Sequence, residues 1–246
     1  MNDFESAAKW LSRFIETVRN TEAGSSSSDL YGAYLLLGKA NLALGKLDAA
    51  CDALNQTVKN AGAADEYVEA VTALAETQIK QENFVAALST VENVRAWPFS
   101  QEQVIRLLLL KSKTLRLMGL FDQAAIILTD KTPYLTDSRL RADIMLELAD
   151  CYIASENYVL ARAHLAEAIS TIEPSVASQQ AQISLAEVCL KLNEIEQAVT
   201  ICKQLLEMPA DEQIKQKAST ILASAYSKER EYDKAVLTLM ATSEEK

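Results

Sequence analysis

Four cysteines, one histidine and a surplus of carboxylates are the residues of this chain with the types to do chemistry. Cys51, Cys151, Cys189 and Cys202 would suggest zinc if they came in CxxC pairs or beside histidines at ligand spacing. They do not, and His164, the one histidine, has no Cys or His at ligand spacing either. Each cysteine sits among apolar residues at helical spacing, so the four read as small buried hydrophobes in a reducing compartment. Cys189 and Cys202 fall in one stretch, where a disulfide is the alternative reading. His164 directly precedes the apolar Leu165 and is expected on an outer helix face. A Ser-His-Asp constellation needs a base held beside a nucleophile, and nothing in the pattern brings one there. No GxGxxG or GxxxxGKS/T run is present to cradle a phosphate. The residues therefore predict no catalytic group, no metal and no cofactor.

The elements that position these side chains follow from composition. The 246 residues are 49 % apolar, with only six Gly and four Pro. So few breakers favour a nearly all-helical chain, and Ala and Leu, both strong helix formers, dominate the apolar set. The net charge of −10 repels phosphate backbones and anionic lipid heads, which argues against nucleic acid and membrane surfaces as partners. No apolar run approaches the roughly 20 residues of a membrane-crossing helix. The N-terminus MNDFESAAKW lacks the basic-then-apolar pattern of a signal peptide, and a cytoplasmic location is expected.

The helices are written as a repeat. A bulky residue followed three later by alanine recurs as Leu47/Ala50, Phe84/Ala87, Phe121/Ala124, Tyr158/Ala161, Ile195/Ala198 and Tyr232/Ala235, with successive alanines 37 residues apart. Twelve residues before each alanine stands a small residue: Gly38, Ala75, Ser112, Ala149, Ala186 and Ala223. Four after it stands Leu54, Val91, Leu128, Leu165, Cys202 or Leu239. Fixed-period self-similarity of this kind marks a stacked-repeat architecture. Apolar residues recur at three and four spacing on both sides of a short break such as LGKL, QENF or SENY, so each unit is a helix pair. The small residue of the first helix and the alanine of the second are expected to meet, Gly38 against Ala50, with Gly45 as the turn.

This pattern resembles the tetratricopeptide repeat (TPR) family, with 37-residue units where about 34 is usual. The closing prolines of that family are partly kept, as Pro98, Pro133, Pro174 and Pro209. The resemblance implies an all-α, right-handed solenoid of antiparallel helix pairs, a TPR-like superhelix. Residues 1–20 form a leading helix that caps the array, with Trp10 and Phe14 available for contact. Residues 21–30 form a Ser-rich loop ending in an N-cap at Ser28 or Asp29. Residues 31–246 form six TPR-like pairs. At the other end, Ala235 and Leu239 are expected to face inward, and Val236 and Met240 to face where a further helix would pack.

The resemblance also implies function. In that family the first helix of each pair lines a concave binding groove. Its positions fall here on Lys39 and Leu42, on Glu69, Thr72 and Glu76, and on Arg106, Lys113 and Arg116. Beyond these come Asp143, Leu146 and Asp150, then Glu187, then Lys217 and Thr220. A basic third pair thus stands between acidic second and fourth pairs. Those charges either pair among themselves or meet a peptide of complementary pattern. The expected function is a non-catalytic scaffold that binds a protein or peptide. The alternatives are a self-association module, with a homodimer through a terminal repeat at Val236 and Met240, or a regulatory segment of a larger protein.

Overall fold

The computed structural model describes residues 2–20 and 27–243, and among these no strand occurs. The chain groups into two compact units, 1–120 and 121–246. The first unit holds α1 (Asn2–Asn20), α2 (Ser27–Ala43), α3 (Leu47–Asn60), α4 (Ala64–Lys80), α5 (Phe84–Glu92) and α6 (Gln101–Leu117). The second holds α7 (Phe121–Thr129), α8 (Ser138–Ala154), α9 (Tyr158–Thr171), α10 (Val176–Lys191), α11 (Ile195–Glu207), α12 (Glu212–Lys228) and α13 (Tyr232–Ser243). Residues 21–26 of the expected Ser-rich loop lie outside the described residues. The N-cap expected at Ser28 or Asp29 is corrected: α2 already begins at Ser27, so both fall in its first turn.

The repeat has a backbone cause. Each bulky anchor of the sequence pattern, from Leu47 to Tyr232, is the first residue of a second helix. Two residues before it the chain turns through a left-handed residue, at Gly45, Glu82, Gly119, Glu156, Asn193 and Arg230, again 37 apart. In every turn the next amide donates to the carbonyl five residues back, as from Lys46 to Asn41 (2.9 Å) and from Asn157 to Tyr152 (2.8 Å). That bond satisfies a carbonyl the ending helix would leave orphaned. At Asn83 and Asn157 the side-chain oxygen then caps the following helix, accepting from Ala86 and Leu160.

The small residues sit where the helices of a pair touch. All six repeat alanines are buried. A β-carbon added to Gly38 would lie 2.7 Å from Leu54 Cγ, but the nearest Ala50 atom is at an ordinary 3.6 Å. Gly38 therefore makes room for Leu54 above all, with the Ala50 carbonyl in ordinary contact beside it. Leu54, Val68 and Val71 anchor one core in the first unit. In the second, Leu165 with Val188, and Leu205 with Ile221, anchor two more. Burying each such side chain contributes about 1.5–3 kcal/mol.

The extra length of the repeat goes into no single element. α3 runs 14 residues and a three-residue linker, 61–63, follows it, whereas α5 stops after nine. The chain between α5 and α6 is then long, and aromatic packing orders it. Trp97 and Phe99 stack on Tyr67 at 5.8 and 6.4 Å, and the Arg95 amide donates to the Tyr67 hydroxyl at 2.9 Å. Lys111, which stands where most repeats have leucine, reaches Glu92 of α5 at 2.7 Å instead of entering the core.

Both terminal helices depart from expectation. On α1 the stripe Leu11 and Ile15 packs against Ala33 and Tyr34 of α2. Trp10 is 73 % exposed and Phe14 is also exposed. A step of one residue rotates a side chain about 100° round a helix, so only one of the two adjacent stripes can face α2. On α13 Ala235 is buried as expected, but Leu239 is 48 % exposed.

Candidate peptide-binding faces

In the first unit, α2, α4 and α6 carry the residues assigned to the groove. Glu69 is the node. One carboxylate oxygen receives the Lys39 ammonium at 3.1 Å, and the other accepts the Tyr31 hydroxyl at 3.1 Å. Burial works to raise the Glu69 pKa, but the hydrogen bonds from Lys39 and Tyr31, with the Lys39 and Arg106 charges, outweigh it and lower the value. The same burial and the same carboxylate hold the Tyr31 hydroxyl well above its ordinary range. Glu69 is therefore ionised and engaged, and its pair is solvent-exposed, worth on the order of 0–1 kcal/mol. Tyr31 was invisible as a site residue in sequence, because an aromatic at helical spacing reads as core. Glu76, Arg106 and Lys113 are exposed. Thr72 is buried, with its hydroxyl donating to the Val68 carbonyl at 2.7 Å, so the helix itself holds that group.

In the second unit, Asp150 is exposed and Asp143 half-buried on α8. Leu146 turns inward and packs against the core around Leu165 and Val188. Glu187 of α10 has the most developed setting. It lines a cleft of about 510 Å³ together with Gln213, Gln216, Lys217, Thr220 and Ile221. Lys217 and Thr220 were assigned to the same face by the repeat register; Gln213 and Gln216 were not. Within this unit the cleft brings an acid, a base and two primary amides from neighbouring first helices to one open space.

These faces belong to a known architecture. No protein-family model matches the sequence, and no curated protein sequence matches it. Solved structures do. A thermophilic TPR protein of Thermus thermophilus is 22 % identical, with a TM-score of 0.59 over 78 % of this chain and 98 % of that one. The apo form of the quorum sensor NprR from B. thuringiensis superposes with a TM-score of 0.67 at 14 % identity, over 99 % of this chain and 71 % of that one. A Rap protein complexed with competence and sporulation factor gives 0.63 at 13 % identity, over 94 % and 80 %. The chain has the fold of a TPR-type repeat protein.

The cysteines are placed in this fold as packing residues. All four cysteines are free, so the alternative of a Cys189–Cys202 bridge is corrected. Burial pushes the Cys189 thiol up to about 11 and the Cys202 thiol up to about 12, which disfavours the reactive thiolate. Cys51 is half-buried and its Sγ lies 3.2 Å from Gln81 Oε1. No three His, Cys, Asp or Glu among the described residues are placed to hold a metal ion. No helix among them is long and apolar enough to cross a membrane.

His164 is not on an outer face. Its ring stacks on Tyr152 of α8 at 5.4 Å and 6°, and Nδ1 lies 3.1 Å from Met145 Sδ. Three residues after Ala161 puts it one helical turn along the same contact stripe. Burial lowers its pKa, against the opposing charge of Glu167. The folded value thus lies below the ordinary value of about 6.5. The unfolded chain takes up the proton first as pH falls, so the stability His164 contributes is complete above about 6.5 and lost below it. Melting curves at pH 7.5 and 5.5 are expected to show a larger drop for the wild type than for His164→Gln. An equal drop in both would mean that the stack tolerates the imidazolium.

Proposed function

We propose that this TPR-type protein is a non-catalytic scaffold whose first-helix faces hold a peptide or a helical segment of a partner protein. The observation that carries this reading is the α10–α12 cleft, where Glu187, Lys217 and the amides of Gln213 and Gln216 share one open space. A primary amide offers both a donor and an acceptor to a peptide backbone, and the flanking charges select among partners more than they add affinity. The Rap neighbour, solved in complex with competence and sporulation factor, is a precedent for a fold of this kind holding a partner. In the first unit Lys39, Leu42, Glu69, Glu76, Arg106, Lys113 and Arg116 are the proposed contacts; in the second, Asp143, Asp150 and Glu187.

The test is affinity capture from the source lysate on three baits: wild type, Glu187→Lys/Lys217→Glu, and Arg106→Glu/Lys113→Glu. Helical circular dichroism is checked in each. A protein held by the wild type and reduced by about ten-fold or more on either variant is the expected result. Partners held equally by all three baits would move binding off the first helices.

A second reading, self-association through α13, is favoured by the exposure of Tyr232, Val236 and Met240 along one side of that helix. Light scattering is then expected to show a dimer that Met240→Lys dissociates. A monomer at every concentration would exclude it.

A further inference from the structure

One wide cavity among the described residues is not on the first-helix faces. It is a slot of about 1110 Å³ in the first unit, with α1 and α3 as walls and Tyr34, Leu37 and Asn41 of α2 as floor. Its lining runs from Glu5 to Arg19 on one wall and from Lys46 to Lys59 on the other, which makes it about 20 Å long at 1.5 Å per residue. Small residues, Ala8 on α1 and Ala49 and Ala53 on α3, leave the space between the walls unfilled.

Two features give the slot a chemistry. The first is charge. Lys9, Arg13 and Arg19 on α1, with Lys46 at the N-cap of α3 and Lys59 on α3, outnumber Glu5, Glu16 and Asp52. A net positive slot in a chain of net charge −10 is a local inversion. None of the five cations is held in an ion pair among the described residues; Arg19 lies instead over the Tyr34 ring at 5.7 Å.

The second feature is Asn41. The residue is 8 % exposed, and its side chain makes a single long hydrogen bond, Nδ2 to the Ala49 carbonyl at 3.5 Å. Its Oδ1 has no donor among the described residues. The next repeat shows what is missing. There the equivalent amide, Gln78, accepts the Thr90 hydroxyl at 2.8 Å. The residue 37 before Thr90 is Ala53, which has no hydroxyl to give. The Asn41 amide therefore has spare hydrogen-bonding capacity where it lines the open slot.

We infer that the slot between α1 and α3 binds an extended, acidic peptide segment. Its carboxylates are met by Lys9, Arg13, Lys46 and Lys59, and its backbone by the Asn41 amide. The backbone contact decides against a helical occupant, because a helix has already spent its amide and carbonyl groups internally. At about 3.3 Å per residue, the slot takes roughly six residues of extended chain. This surface is separate from the first-helix faces, and its occupancy does not depend on theirs.

The test is panning of a random displayed heptapeptide library against the wild-type chain. Each enriched peptide is then synthesised with a fluorescent label and titrated by anisotropy against three variants. Lys9→Glu/Arg13→Glu/Lys59→Glu changes only surface charges of the slot. Asn41→Leu keeps the volume of the floor but removes its amide. Glu187→Lys/Lys217→Glu reports on the other face. The expected result is enrichment of peptides rich in Asp and Glu. Their affinity falls at least about ten-fold on the slot triple, falls measurably on Asn41→Leu, and is unchanged on the Glu187/Lys217 variant. Peptides that lack acidic residues, that keep their affinity for the slot triple, or that respond only to the Glu187/Lys217 variant would overturn the inference, as would a failure to enrich any peptide.

Discussion

Replacing Leu165 by alanine should lower the stability of the second unit by about 2–5 kcal/mol, and the same replacement at Leu239 by about 0.5 kcal/mol or less. The two leucines hold the same place in the repeat, four residues after the alanine of the second helix. Sequence alone therefore assigns them the same role. Their surroundings differ. Leu165 is 2 % exposed, in a core with Ala149, Ala161, Ala181 and Val188, while Leu239 is 48 % exposed. Truncating the first loses its transfer free energy and leaves a cavity in packed surroundings. Truncating the second removes methyl groups already in contact with water. Urea denaturation followed by circular dichroism gives both numbers. Stability in stacked repeats is approximately a sum of local terms, so hydrogen exchange should place the Leu165→Ala loss in α8 and α9. Equal losses for the two variants would mean that Leu239 is covered in solution, which is also the result expected if α13 docks on another molecule.

The same contrast explains how much could be read from the residues. The period, the helix pairs and the start of every second helix were legible, because close approach demands a small residue at one fixed place and the turn demands a left-handed residue at another. Ala50, Ala87, Ala124, Ala161 and Ala198 are all fully buried. Stripes one residue apart were harder. Trp10 against Leu11, and His164 against Leu165, differ by a single 100° step, and an apolar side chain at the end of an array looks the same in sequence whether or not a neighbour covers it. The candidate faces were legible only as register. The pairing of Lys39 and Tyr31 with Glu69 spans 30 and 38 residues, and nothing local announces it. The α1–α3 slot was not legible at all, since it depends on the separation of two helices and on what Ala53 fails to supply to Asn41.

The turns supply the second large effect. The triple substitution Glu82→Gly/Glu156→Gly/Arg230→Gly should stabilise the protein by about 2 kcal/mol in total, against the usual expectation that added glycine weakens a helical protein. All three residues have positive φ, 59°, 59° and 64°, where a β-carbon crowds the following carbonyl and costs an L-residue roughly 1–2 kcal/mol. Glycine removes that strain but adds about 0.5–1 kcal/mol of unfolded-chain entropy, leaving a net gain of about 0.5–1 kcal/mol per turn. All three side chains are exposed, and no side-chain hydrogen bond holds any of them among the described residues, so little is lost with them. The sites lie in different turns and should add. Two controls fix the cause. Asn193→Gly, at φ 62°, should change stability by only a few tenths of a kcal/mol, because asparagine tolerates the left-handed region. Gly119→Ala should cost about 1 kcal/mol, although a β-carbon there would meet nothing within 4 Å, since the loss arises in the backbone alone. Thermal and urea melts of the wild type, the triple and the two controls decide it. A triple variant less stable than wild type would mean that these side chains stabilise the turns by more than the left-handed backbone costs.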